Sequence, residues 1–436
     1  MSDNLNKTQT SNQQELADLK PTDSYTPSPR QQKTSPNRFS VPSWLYVLIF
    51  VGLIRAILKF EPKPDYVDLE KKVFQQDGII LNESQQVQLE KDANSGESTA
   101  QALMAYCLYD GKGGFKEDSL QALIYAEKSA KAGNSSGMWV LGLLEQDDAE
   151  KCKWFRKSAE AENTYGMCSL AVMYEYGEGG LKKDEVEAVK WFRKSAEAGD
   201  SYGMYSLGIM YEVGQGGLAK DEVEAVKWYK KSAEEGNADG MNRLGIMYAV
   251  GQGGLAKDEV EAVKWYKKSA EAGNSDGMNK LGVMYKYGEG GLKKDEVEAV
   301  KWYRKSAEAG SSDGMCFLGL MYLIGEGGLP QSSVEGIKWI RQSAEAENAD
   351  GMYSLGLLYE NGLDVLEKNE VEAVKWYKKS AEAGNLKAMF NLAAMYENGK
   401  GGLKSNREEA IAWYRKAATL GDPMAESALK RLRASK

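Results

Sequence analysis

A tryptophan returns every 37 residues along this chain, at Trp154, Trp191, Trp228, Trp265, Trp302, Trp339, Trp376 and Trp413. A fixed period of this size excludes most globular folds. One copy is too short to bury its own apolar face, so successive copies must stack and share a continuous core. The tract between beats changes little. DEVEAVKWYKKSAEAGNSDGMNKLGVMYKYGEGGLKK, Asp258 to Lys294, is a clean copy.

Two helices fit one copy. In the unit from Asn237 to Gly273 the first is expected over Ala238 to Val250, with Asn237 as N-cap. Met241, Leu244, Gly245 and Tyr248 then share one face. Gly245 and its counterparts Gly208, Gly282, Gly319 and Gly356 are expected to let a neighbouring helix come close. Gly251, Gly253 and Gly254 make a turn that needs positive φ. The second helix starts at Asp258, where Glu261 three residues on suggests a capping box. Val260, Val263 and Ala270 form one expected apolar stripe; Ala262, Trp265, Tyr266 and Ser269 form another. The tryptophans and tyrosines are read as core packing, and Gly273 as the C-terminal stop.

On this layout nine units run from about residue 96 to 421. The second is shortened, because Gly137 lies 29 residues before Gly166. Residues 422–436 hold a charged C-terminal cap helix, as an array end requires. Residues 1–40 are rich in Ser, Thr, Asn, Gln and Pro and are expected to be a disordered polar tail. Residues 41–60, VPSWLYVLIFVGLIRAILKF, have the length of a single-pass transmembrane anchor, with Arg55 and Lys59 snorkelling to the headgroups. A cleaved signal peptide and a buried soluble helix are the competing readings. Cations flank the segment on both sides, so its orientation stays open. Residues 61–95 read as a linker followed by an N-terminal cap helix.

These residues resemble the Sel-one-like repeat family. Leu244, Gly245, Tyr248, Gly251, Gly253, Asp258, Ala262, Trp265, Ala270 and Gly273 match its pattern; Gly240 stands where the family has alanine, which Ala388 keeps. The resemblance implies an all-α fold, a right-handed α/α superhelical solenoid related to tetratricopeptide arrays. It also implies an adaptor or scaffold that binds other proteins. Cysteine-rich relatives are linked to β-lactam binding. This chain lacks a cysteine pair in each repeat, so a cell-wall or β-lactam hydrolase is kept only as the alternative.

Composition narrows the chemistry. The net charge is −8, from 64 acidic and 56 basic residues, which argues against a nucleic-acid partner. There is no histidine, so the commonest general base and a major metal ligand are missing. The four cysteines, Cys107, Cys152, Cys168 and Cys316, follow no ligand spacing. Cys107 and Cys152 are expected in the core, Cys168 and Cys316 partly exposed. GQGGLAKD looks like a phosphate loop but follows a helix and lacks the G-K-[ST] ending. The DEVE carboxylates recur in nearly every unit, as helix capping does and a single active site does not. The chain is therefore read as a non-enzyme with no cofactor and no metal.

Function is sought where the repeats differ. The residue before Gly-Met runs Tyr165, Tyr202, Asp239, Asp276, Asp313, Asp350. The two residues after it include Tyr205, Asn242, Arg243, Asn279, Lys280, Phe317 and Tyr353. Three- and four-residue spacing puts these positions on one face of each first helix, away from Leu244. The expectation is a concave groove with tyrosine-rich ends and an acid, amide and basic middle that holds a protein or peptide, the whole tethered to a membrane through residues 41–60. Neutral drift on a solvated face is the bland alternative.

Overall fold

The computed structural model describes residues 83–111 and 114–434. Among them are twenty α-helices and no strand; Leu363 and Leu366 form an isolated bridge. The described chain divides into two compact units, one ending at Asn274 and one beginning at Ser275. The first opens on a lone helix, Glu83–Asn94, and continues with five hairpins: Ser98–Asp110 with Ser119–Lys131, Ser135–Leu144 with Asp148–Glu160, Thr164–Tyr176 with Glu185–Glu197, Ser201–Val213 with Glu222–Glu234, and Ala238–Val250 with Glu259–Glu271. The second unit has four: Ser275–Tyr287 with Glu296–Glu308, Ser312–Ile324 with Ser333–Glu345, Ala349–Asn361 with Glu370–Glu382, and Leu386–Asn398 with Arg407–Thr419. It closes on Pro423–Ala434, where Lys430 stands at the position of the close-approach glycines.

Local sequence sets each helix end. Asn237 Oδ1 accepts from the Gly240 N–H at 2.7 Å, and Gly251, at φ 73°, ends that helix. Asp258 Oδ1 accepts from the Glu261 N–H at 2.9 Å. The reciprocal half of the capping box does not form. The Asp258 N–H donates to the Tyr248 carbonyl of the preceding helix, and Glu261 pairs with Lys264 instead.

Three contacts then repeat along each unit. Within a repeat, the close-approach glycine admits an aromatic ring: a methyl group at Gly245 would lie 2.7 Å from the Tyr266 ring. Between repeats, Gly240 lies so close to Ser232 of the preceding second helix that a methyl group would overlap the hydroxyl. Ser232 Oγ itself donates to the Ser201 carbonyl at 2.7 Å. Finally, the second turn glycine, Gly253 at φ 63°, presses on the previous repeat, where a methyl group would lie 2.5 Å from the Glu222 carbonyl. Gly254 meets only Val223, at 3.6 Å.

The eight tryptophans of the 37-residue beat are half-buried rather than enclosed. Trp191 packs against the cores of its own and the preceding repeat. A lysine three residues on lies over the ring, at 4.1 Å for Lys194 on Trp191 and 4.2 Å for Lys231 on Trp228, a cation–π contact. The stripe expected through Val260 is also revised: Val260 is 50 % exposed, and Val186, Val223, Val297 and Val371 match it. Cys168 and Cys316, expected partly exposed, are buried, as are Cys107 and Cys152.

The single-pass membrane placement is corrected. Among the described residues no helix is long and apolar enough to cross a membrane. The described helices have at most 13 residues, so each extends about 20 Å against a hydrocarbon core of about 30 Å. The segment 41–60 and the tail 1–40 lie outside the described residues.

The turn contacts predict a graded response. Gly253→Ala meets both a positive φ and a backbone clash and should cost about 2–4 kcal/mol, whereas Gly254→Ala meets the φ cost alone, about 1–2 kcal/mol. Urea unfolding of the two variants measures the difference. Glu162 and Glu347 stand at φ 60° and 59°, where the clean repeats carry glycine. Glu347→Gly should therefore raise the urea midpoint, with a gain in unfolding free energy of up to about 1 kcal/mol after the extra freedom of the unfolded chain is offset.

Candidate interaction face

The variable positions lie on the first helices, and the structure sorts them into three rows. The row before Gly-Met sits at the start of each first helix. Its aspartates are held by the cap of the next repeat. Asn274 Nδ2 donates to Asp239 at 2.7 Å, Ser311 Oγ to Asp276 at 3.4 Å, Asn348 Nδ2 to Asp313 at 2.5 Å and Asn385 Nδ2 to Asp350 at 2.7 Å. Asn348 and Asn385 also accept from their own helices through Oδ1, from the Gly351 N–H at 2.8 Å and the Ala388 N–H at 2.9 Å. Asp276 is exposed; Asp239, Asp313 and Asp350 are half-buried. Burial pushes the Asp350 carboxyl above its ordinary value, and the charge of Asp313 adds to the rise. Tyr165 and Tyr202 occupy this row in earlier repeats. Tyr165 leans on Trp139 at 5.4 Å between ring centres, and Tyr202 lies 6.4 Å from Phe192.

The second row packs inward. Asn242 is 8 % exposed, Asn279 3 % and Tyr353 4 %. Tyr205, half-buried, meets the Tyr229 ring of its own repeat at 6.0 Å, and Tyr353 meets Tyr377 at 5.9 Å. The Oδ1 atoms of Asn242 and Asn279 are buried without a hydrogen-bond partner. The third row is mixed. Arg243 and Lys280 are half-buried, and Phe317 is buried and stacks on Tyr303 of the preceding repeat at 5.1 Å. The structure thus brings Tyr202, Tyr205 and Arg243 close to one aromatic cluster in the first unit. In the second unit Asp276, Asp313 and Asp350 form an edge.

A further row was not singled out from the sequence. Glu212, Ala249, Lys286, Leu323, Glu360 and Glu397 occupy one position near the end of successive first helices. Tyr229, Tyr377 and Tyr414 donate their hydroxyls to Glu212, Glu360 and Glu397. Arg243 of the next repeat approaches Glu212 at 3.9 Å, with both side chains largely buried. Burial, with the Glu212 charge second, pushes the Tyr229 phenol up. Where the glutamate becomes Leu323, the tyrosine becomes Ile340 and a neighbouring alanine becomes Gly336; a methyl group there would lie 2.5 Å from Leu323. That concerted change was the available signal.

Other candidate chemistry finds less support. A surface cavity of about 410 Å³ lies where the glycine turn of one repeat meets the preceding helix, lined by Lys294, Asp295, Glu296, Val297, Gly327 and Gly328. Its helix N-terminus is already capped by Asp295, so it does not offer the free amides a phosphate needs. Among the described residues no group of three or more Cys, Asp or Glu could hold a metal ion.

The Sel1 repeat family matches at residues 98–134, 141–163, 164–200, 201–237, 238–274, 275–311, 312–348, 349–385 and 386–422. This chain belongs to the Sel1 repeat family. The short second match is the repeat whose first helix, Ser135–Leu144, has 10 residues instead of 13. Among solved structures, the chain is similar to c5321, a protective antigen of uropathogenic Escherichia coli strains displaying an SLR fold, at 35% identity over 79% of this chain and 73% of that one, with a TM-score of 0.49. It is also similar to a Sel1 repeat protein from Oxalobacter formigenes, at 30% identity over 68% of this chain and 99% of that one, TM-score 0.40. The search of curated proteins finds no match.

The double role of the cap asparagines makes a prediction. Asn385→Ala removes both an N-cap and the donor to Asp350, so it should cost about 1–2 kcal/mol in urea unfolding, more than a surface Asn→Ala.

Proposed function

We propose that this Sel1 repeat chain is a protein-interaction scaffold that takes a protein or peptide partner on the face of its first helices. Repeat proteins of this kind are generally non-catalytic interaction platforms, and that supports the reading. The observation that carries it is the contrast between conserved and varied positions within the one chain. The glycines, serines and second-helix aromatics that hold repeats together recur nearly unchanged. On the first helices the row before Gly-Met changes from Tyr165 and Tyr202 to Asp239, Asp276, Asp313 and Asp350. The rows after it vary more, as at Tyr205, Arg243 and Lys280, and all of these residues keep part of their surface in solvent. Within each unit the first helices of most consecutive repeats touch one another directly, as Ser275–Tyr287 touches Ser312–Ile324, which suits an inner, concave side. Tyrosine and arginine are common anchors of such interfaces. Asn242, Asn279, Phe317 and Tyr353 support the face from beneath rather than forming its surface.

Site-specific photo-crosslinking in the full-length chain tests this. Probes at positions 202 and 205 of the first unit, and at 276 and 280 of the second, should each capture a partner. Probes replacing the exposed lysines 230, 267 and 375 of second helices should not. Capture mainly from the second-helix positions would overturn the proposal.

A further inference from the structure

Asp200 starts the helix Ser201–Val213 and is 5 % exposed. Its Oδ2 accepts from Gly203 N–H at 2.7 Å, Ser195 Oγ at 2.9 Å and Cys168 Sγ at 3.1 Å. Its Oδ1 is buried and has no hydrogen-bond partner. The groups that face it are Cys168 from Thr164–Tyr176, Ser195 from Glu185–Glu197, and the Tyr202 and Gly203 amides of its own helix. None is a cation. Most caps at comparable positions are neutral, namely Asn134, Asn163, Asn237, Ser311, Asn348 and Asn385; the acidic exceptions are Glu97, before the first hairpin, and Asp422, before the closing helix. The row before Gly-Met carries tyrosine rather than aspartate here, as it also does before Asn237, where Tyr202 stands 35 residues earlier. An aspartate stands 35 residues before each of Asn274, Ser311, Asn348 and Asn385, but Tyr165 stands 35 before Asp200, so no second carboxylate faces it.

We propose that the junction between residues 164–200 and 201–237 is a pH-sensitive joint that tightens on acidification, with Asp200 as its titrating group. A buried carboxylate with one oxygen unsatisfied and no cation beside it is costly when charged and tolerable when protonated. Burial holds the Asp200 carboxyl above its ordinary value, against the downward pull of its hydrogen bonds from Cys168, Gly203 and Ser195. The sign follows from linkage. A folded value raised above the unfolded one favours folding most at low pH. Stability is lost as pH rises from the ordinary aspartate range through the raised folded value, and the deficit is constant above it. The joint is thus weakest at neutral and alkaline pH. Cys168 is part of the same cluster but not its switch, since burial pushes its thiol well up and keeps it neutral.

The test compares the full-length chain with Asp200→Asn, which installs the cap found at most other junctions, and Asp200→Ser, the residue type at position 311. At pH 8 both variants should melt above the wild type, by on the order of 2–4 °C for an array of this size. The gap should narrow as pH falls and close in the ordinary aspartate range. Hydrogen exchange, corrected for intrinsic rates, should show the amides of 201–206 gaining protection on acidification in the wild type only. A gap that stays constant with pH, or variants that melt no higher than wild type at pH 8, would overturn the inference.

Discussion

The architecture depends on how closely one repeat can approach the next. In every second helix but the last, where Ala417 takes its place, a serine near the end donates to the carbonyl at the start of its own first helix, as Ser306 does to Ser275 and Ser380 to Ala349. The next first helix lays its glycine on that serine, as Gly314 lies on Ser306. The hydroxyl satisfies a helix-end carbonyl region while the missing Cβ lets the backbones meet. Neither residue alone makes the junction; the pair does. Close packing of this kind is felt at the scale of one methyl group.

This explains why so few positions are free to vary. The second helix is committed on both sides, to its own first helix through tyrosine and glycine and to the neighbouring repeat through tryptophan and the glycine turn. Substitutions there come in sets, as Leu323, Gly336 and Ile340 illustrate. The first helix keeps one edge uncommitted. Even there the aspartates at 239, 276, 313 and 350 serve the stack by accepting from the next cap, so an exposed position is not automatically a position available for binding.

Much of the fold was legible in the sequence, because the helices are set by local signals. The 37-residue beat, the Asn and Asp caps and the turn glycines fix helix ends within a residue or two. What the sequence left hidden are contacts about 30 to 35 residues apart. Three- and four-residue spacing identifies a shared helical face but not what lies opposite it. Asn242 and Asn279 share a face with Asp239 and Asp276, yet the neighbouring helices cover them. Val223 has helical spacing to the core, but at the first turn of its helix it is half exposed and meets the turn glycine Gly254. The Tyr229–Glu212–Arg243 chain spans two repeats, and no local pattern pointed to it. The expected membrane placement rested on apolar length alone, the one signal independent of the repeat.

The serine–glycine approach is the claim on which the rest stands, and a double-mutant cycle on Ser232 and Gly240 tests it most directly. Gly240→Ala alone should be strongly destabilising in urea unfolding. With Ser232→Ala, which removes the nearest atom, part of that loss should be recovered, giving a coupling of about 0.5–2 kcal/mol. Two losses that simply add, to within about 0.3–0.5 kcal/mol, would contradict a direct contact at this junction and with it the account of how the repeats are held together.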